Sequence, residues 1–332
     1  MSIREDGFQE GQPQWRQFRL PQILFNPRAQ ELHSTILNEW DTLRQSACQI
    51  AAGRALWEHV TGDPLAELLA GERHLTKFHE KIKSDLLKEA PEISGVILAV
   101  RTLWFDSKLE EALNSMIGDT QVVLLGAGMD TRAYRLGCLQ KTNIFEVDFP
   151  EVVQIKADLL EVGAASKEEK RRPTLKAKSV QYVATDLRKR DWFETLQSWG
   201  FEAEKNTIWV LEGLLYYLTD AQAMQVLSTI GDRCQIVPTV LLADFINKPS
   251  LAMCSSLFQF CCDWPDHLLP SLGFSHVKLS QIGDHDAHFG LIKDSNNLFH
   301  KLRSLPRSEQ ICPQDGTPCC RTYFVQASGY PI

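Results

Sequence analysis

No stretch of this 332-residue chain approaches the ~20 continuous apolar residues that a membrane-spanning helix requires, so no membrane partner is expected. Basic charge is not in excess: 35 Lys and Arg stand against 42 Asp and Glu, a formal net charge of −7, which leaves no footprint for a nucleic-acid backbone. The one dense basic run, Lys167 to Lys178, also holds Glu168 and Glu169 and reads as a solvated connection. Regular cysteine spacing is missing too. Nine cysteines scattered over this length read as reduced thiols rather than a disulfide framework. Cys261-Cys262 and Cys319-Cys320 are adjacent pairs rather than C-x-x-C, so no metal site is expected. Residues Met1 to Gln30 contain no apolar segment and are not acid-poor, which argues against a signal or transit peptide and for a cytoplasmic location. No internal repeat is visible. A hydrophobic content of 44% is ordinary for a globular core, and the length suits one elaborated α/β domain.

What is present centres on Val122-Val123-Leu124-Leu125-Gly126-Ala127-Gly128-Met129-Asp130-Thr131-Arg132. Four apolar residues running into a Gly-x-Gly turn describe a strand buried on both faces. Gly126 and Gly128 permit a sharp turn and a close approach of bare backbone to a ligand. Asp130 or Thr131 suits the N-cap of a following helix. Asn143 to Asp148 reads as the next strand, and Asp148 falls about 20 residues beyond the glycines, where an acid grips ribose hydroxyls. The third glycine of a dinucleotide fingerprint is absent, because position 131 is Thr. That glycine allows tight helix packing under a pyrophosphate. A ligand with a ribose but no pyrophosphate therefore fits better than a nicotinamide dinucleotide, and S-adenosylmethionine is the common one.

The run Leu125 to Leu136 resembles the signature of the leucine carboxyl methyltransferase family. Arg101-Thr102-Leu103-Trp104-Phe105-Asp106, Glu146-Val147-Asp148-Phe149-Pro150, Thr185-Asp186-Leu187-Arg188 and Glu212-Gly213-Leu214-Leu215-Tyr216-Tyr217-Leu218 continue the likeness, which spans about residues 46 to 293. The resemblance implies a doubly wound, mostly parallel seven-stranded methyltransferase sheet with one reversed strand. It also implies S-adenosylmethionine as methyl donor and an oxygen as acceptor.

Along the chain, residues 1–28 read as an extended or disordered arm and 29–332 as a single domain. Residues 29–113 form a helical cap, and 114–332 the catalytic sheet with an insertion at about 247–270. Leu32, Ile36, Trp40 and Leu43 recur as on one helix face. Gly62-Asp63-Pro64 breaks the helical pattern, with Asp63 as N-cap of the next helix. Beyond Val122, strands at 179–183, 207–211 and 237–245 alternate with helices, one of them over about 220–231, as a parallel sheet covered on both faces requires. Pro238 places the start of the 237–245 segment outside the ladder. Residues 321–327 read as a late strand.

Methyl transfer from a sulfonium is an in-line displacement with a neutral leaving group, so the protein mainly binds, aligns and desolvates. A carboxylate acceptor is already ionised near neutral pH, whereas a hydroxyl gains from a base. Gly126 is assigned to the cofactor's amino-acid end and Asp148 to its ribose. The resemblance implies Asp186 and the Leu187 backbone for adenine; Asp186 as a cap of local structure is the plainer reading. Arg101 is matched to a carboxylate clamp, against an ion pair with Asp106 or Glu110 along its own helix. Glu212 either binds the cofactor's amino group, faces the acceptor, or forms a structural ion pair. Tyr216 and Tyr217 line the acceptor site or are core aromatics, and His285 and His288 are the candidate bases if the acceptor is a hydroxyl. Gln49 stands where the phosphatase methyltransferases carry a cofactor-binding lysine, with Arg54 as its candidate substitute. Together with Arg132-Ala133-Tyr134-Arg135 this points to the microbial small-molecule branch. The expected acceptor is a carboxylate or hydroxyl of a small metabolite, such as a polyketide-type one. The alternatives are a protein C-terminal leucine carboxylate and a non-catalytic cofactor-binding scaffold.

Overall fold

Valine, leucine and isoleucine fill both faces of the central strands, and this is what makes the sheet a middle layer. The computed structural model describes residues 18–90, 93–292 and 298–330. Helices α1 (Pro27–Glu39), α2 (Thr42–Leu56), α3 (Glu58–Thr61), α4 (Ala66–Leu87) and α5 (Val96–Ser115) precede the sheet. Then β1 (Thr120–Leu125), α6 (Arg132–Arg135), β2 (Asn143–Asp148), α7 (Pro150–Ala164), β3 (Ser179–Ala184), α8 (Trp192–Ser198), β4 (Asn206–Leu211), α9 (Asp220–Gly231) and β5 (Thr239–Ile246) alternate. The chain continues through α10 (Lys248–Cys254), α11 (Pro265–Leu268), β6 (His276–Gln281), α12 (Leu298–Ser304) and β7 (Thr322–Gly329). The strand order is β3-β2-β1-β4-β5-β7-β6. β7 runs antiparallel to both neighbours and every other pairing is parallel, so the seven-stranded sheet with one reversed strand is as expected.

Successive residues of β1 serve opposite layers. Val122 and Leu124 pack with Ala99, Trp104 and Phe105 of α5, while Val123 and Leu125 pack with Trp192 of α8 and Val226 of α9. Each such buried side chain contributes roughly 1.5–3 kcal/mol of transfer free energy. α1, α2, α4 and α7 share a further apolar cluster of their own. Pro238 directly precedes β5, but its carbonyl joins the ladder by accepting the Thr207 N–H of β4 at 3.2 Å, and Thr219 and Gln222 form a capping box at the start of α9. Among the described residues no helix is long and apolar enough to cross a membrane, and no cluster of three His, Cys, Asp or Glu is arranged to hold a metal ion.

Four local expectations are corrected. The helical face through Trp40 is two helices, because the Asp41 side chain accepts the Arg44 N–H and restarts the chain as α2. Asp63 is no N-cap: its carboxylate, fully buried, takes the Arg54 guanidinium at 2.8 Å, and α4 starts beyond Leu65. The helix after β1 is a single turn, with Asp130 Oδ1 accepting the Arg132 N–H. β6 was not foreseen. It is an edge strand with alternating exposure, and His276-Val277-Lys278-Leu279 offers little apolar signal. Residues 1–17 of the expected arm lie outside the described residues, and from Gln22 to Phe25 the chain forms a 3₁₀ turn that buries Leu24.

Candidate active site

Order reverses across the sheet between β1 and its neighbours β2 and β4, so a crevice opens at the carboxyl ends of these strands. It is lined from β1 and its turn by Gly126, Gly128 and Asp130, from β2 by Asp148, from beyond β3 by Asp186 and Leu187, and from beyond β4 by Glu212 and Tyr216. Helix α2 closes it with Leu43, Arg44, Ala47 and Ile50, and α5 contributes Arg101. The six residues expected to hold a cofactor, Arg101, Gly126, Asp148, Asp186, Leu187 and Glu212, therefore share one cleft. Gly126 and Gly128 both have positive φ, +67° and +48°, and a Cβ on Gly126 would lie 2.9 Å from Leu214 Cδ1.

Asp148 receives the Gly128 N–H on Oδ2 and the Phe149 N–H on Oδ1, each at 2.7 Å. Burial pushes its carboxyl up while those two donors and Lys156 pull it back. Asp186 accepts the backbone N–H and the guanidinium of Arg188, which leaves its carboxyl below the ordinary range despite partial burial. The Phe149 ring beside these acids carries Arg44 at 4.3 Å and Arg188 at 5.0 Å from its centroid.

Opposite this end stands a buried ionic web. Arg101 Nε lies 3.0 Å from Glu212 Oε1, its Nη1 donates to the Tyr216 hydroxyl at 3.2 Å, and Asp244 Oδ2 is 3.5 Å away. Arg132 engages Glu212 Oε2 at 2.6 Å, Asp106 at 2.7 Å and Asp130, and Arg135 grips the same Asp106. Burial would push Glu212 and Asp130 up. Arg132 and Arg101 instead hold Glu212 below the usual carboxylate range, and Arg132 with Lys156 brings Asp130 to about 2. The intrahelical pair of Arg101 with Asp106 or Glu110 is not formed, since Asp106 belongs to Arg132 and Arg135.

Tyr216 lines the cleft, but burial drives its phenol well above 10, so it is protonated at neutral pH and serves as an acceptor for Arg101. Gln259 N donates to the Tyr216 carbonyl, and Phe258 packs 4.4 Å from the Tyr216 ring, tying the 247–270 segment to the cleft wall. His285 and His288 do not line the cleft. They lie in the turn after β6, the outermost strand, where His285 is exposed and His288 Nδ1 accepts the Gly290 N–H. Gln49 is exposed and outside the cleft; Arg54 lines it but is committed to Asp63 and the Met129 carbonyl. Arg132, Asp130 and Asp106 were named in the sequence only as motif, cap or helix-pair residues, and Asp244 not at all, so none of the four was among the candidate site residues. The available signal was an acid alone in an apolar element, as Asp244 is in the strand Val240-Leu241-Leu242-Ala243-Asp244-Phe245.

A family model described as leucine carboxyl methyltransferase matches residues 47–231. A protein of Mycobacteroides abscessus named "putative S-adenosyl-L-methionine-dependent methyltransferase" is 36% identical over 298 residues, 81% of this chain and 92% of its own length. A Rhodococcus jostii protein of the same description is 36% identical over 195 residues, 55% of this chain and 60% of its own. A solved structure from Thermobifida fusca, titled a "putative methyltransferase", covers 81% of this chain and 94% of its own, with 13% identity and a TM-score of 0.43.

Proposed function

The chain belongs to the leucine carboxyl methyltransferase family, and from that premise we propose that it methylates the carboxylate of a small metabolite. It is an S-adenosylmethionine-dependent methyltransferase of that family. The observation that carries the choice of acceptor is the absence of an uncommitted base among the described residues of the cleft. No His, Lys or Cys lines it. Asp130 and Glu212 are held by arginines, Asp186 by Arg188, and Asp148 by two backbone donors. A hydroxyl acceptor would need a proton taken from it, whereas a carboxylate does not. The choice of a small metabolite over a protein C-terminus rests on the likeness of Arg132-Ala133-Tyr134-Arg135 to the microbial branch; Gln49, exposed and outside the cleft, does not occupy a cofactor-binding position and lends it no support.

The residues present fit the cofactor. The Gly126 turn is a cradle that a Cβ would fill, and Asp148, with one N–H on each oxygen, retains acceptor capacity for a ribose diol. Arg101 would hold the methionyl carboxylate, Glu212 the ammonium, and Asp186 with the Leu187 backbone the adenine edge. When bound, the cofactor supplies an electrophilic methyl group on a sulfonium that leaves as a neutral thioether. The chain's own work is placement. Arg132 and Arg101 keep Glu212 ionised and fixed, so a cation meets a preset carboxylate rather than one that must reorganise. Leu43, Ala47 and Ile50 of α2 exclude water above the β1 turn, which strengthens each of these interactions.

The test is a panel of carboxylic acids, phenols and alcohols, with a leucine-ending peptide included. Base-labile methyl esters from small acids, formed at a rate flat over about pH 6–8, are expected. Base-stable ethers alone would overturn the carboxylate reading, ester on the peptide alone would move the acceptor to a protein, and cofactor binding without turnover would favour a scaffold.

A further inference from the structure

Asp244 terminates a buried web that holds one more carboxylate than guanidinium. The contacts run from Arg135 to Asp106, Arg132, Glu212, Arg101 and Asp244, with Asp130 attached to Arg132. Of the adjoining pairs, Arg54–Asp63 is balanced, while burial pushes the Glu146 carboxyl of the Lys156–Glu146 pair up to about 7 against the pull of Lys156. Asp244 is 1% exposed on β5 and is faced by Arg101 from α5, Glu212 and Gly213 from the end of β4 and Tyr216 and Tyr217 from the next turn, while its partner on β7 is the apolar Phe324. Its Oδ1 accepts the Gly213 N–H at 2.6 Å. Its Oδ2 stands 3.5 Å from an arginine that already bonds Glu212 at 3.0 Å. Asp106, Asp130 and Glu212 each have a guanidinium at closer range, so the uncompensated charge belongs to Asp244. Burial pushes its carboxyl up to about 6, against the pull of Arg101 and the Gly213 N–H, so it is ionised at neutral pH.

Resting on the reading of the cleft as an S-adenosylmethionine site, we propose that Asp244 is the residue by which this chain prefers the charged methyl donor to its demethylated product. The donor carries a sulfonium, an ammonium and a carboxylate, one net positive charge. The product thioether has lost the sulfonium charge and is neutral. An unmatched carboxylate behind Arg101 attracts the first and not the second, in a cleft where water and salt screen little. The hydrogen bonds of Asp148 do not make this distinction, because the ribose it is assigned to is common to both ligands. Asp244 forms and breaks no bond; it is a positioning residue that acts through Arg101 and through its charge, and it biases the site toward releasing product after each transfer.

The experiment is calorimetric titration of the full chain and of Asp244→Asn with S-adenosylmethionine and S-adenosylhomocysteine. Asparagine keeps an oxygen for the Gly213 N–H and removes only the charge. The donor-over-product affinity ratio is expected to fall about fivefold or more in the variant, with product affinity within about twofold of wild type. In the wild type the ratio should shrink as pH drops from about 7.5 to about 5.5, and more steeply than in the variant, which keeps the Glu146 carboxyl that also titrates in this range. An unchanged ratio, or equal loss of both ligands, overturns the proposal. Should the variant not fold, Glu146→Gln decides: a ratio that still shrinks as pH falls supports the proposal, and a flat one overturns it. Failure of the wild type to bind either ligand would instead defeat the cofactor reading on which it rests.

Discussion

Arg132 Nη2 lies 2.6 Å from Glu212 Oε2, tying the one-turn helix after β1 to the end of β4 across 80 residues of sequence. With Nε on Asp106 and Nη1 on Asp130, the guanidinium is spent on three carboxylates while only 2% of its side chain is exposed. Its fork geometry suits this task, and a lysine cannot reproduce it.

Replacing Arg132 by Met therefore strands acids in the interior. Arg132→Met should lose ~3–5 kcal/mol in urea unfolding, and Arg132→Lys distinctly less, because it restores charge without the fork. A Met variant within about 1 kcal/mol of wild type would show that the web adds little to stability.

Asp148→Ala removes the acceptor assigned to the ribose and also orphans the N–H groups of Gly128 and Phe149. Cofactor affinity should fall roughly 10- to 100-fold by calorimetry, as for a lost hydrogen bond to a charged group. Unchanged affinity would remove Asp148 from the site.

Gly126→Ala meets two obstacles, a φ of +67° and a Leu214 methyl at 2.9 Å. The Leu214 side chain can yield but the backbone cannot, so a loss of about 1–2 kcal/mol in chemical denaturation is expected, together with weaker cofactor binding. A variant as stable as wild type that binds normally would mean that the turn relaxes freely.

Helix α4 carries a break at Gly71, with φ +77° and ψ 161°, and His33 Nε2 bonds the Leu68 carbonyl beside it at 2.9 Å. Burial holds the His33 imidazole down from 6.5 to about 4, although the Leu68 carbonyl favours its protonation. The unfolded chain therefore takes up this proton at a higher pH than the folded protein does. The contribution to stability is complete above pH 6.5 and is lost as pH falls toward 4, by about 2 kcal/mol after allowance for partial exposure. Thermal unfolding across that window should show the slope, and His33→Gln should flatten it; an equally steep variant would place the titration elsewhere.

The strands β1, β2, β4, β5 and β7 were legible because a layer covered on both faces demands near-continuous apolar residues, a local pattern, and the edge strand β3 was legible from its β-branched and aromatic Val180, Tyr182 and Val183. Asp148 was legible for a similar reason, since its distance from the glycines is set by one β-α-β step. β6 was not, because an edge strand half open to water needs no such run. Asp41 and Asp63 show the limit from the other side: each precedes a helix, yet one caps and the other is drawn to Arg54. Nothing adjacent in the chain distinguishes them.

By itself the sequence determined six of the seven strands and the glycine turn, because strand burial and backbone freedom act over a few residues, and its likeness to the family supplied the cofactor residues proposed above. The partners of the buried charges were decided only by the tertiary structure. Arg101 finds Glu212 across 111 positions and Arg132 finds it across 80, leaving Asp106 to Arg132 and Arg135 rather than to its helix neighbour. A charge removed from water must take whichever opposite charge the fold brings within reach, and that choice is made in space.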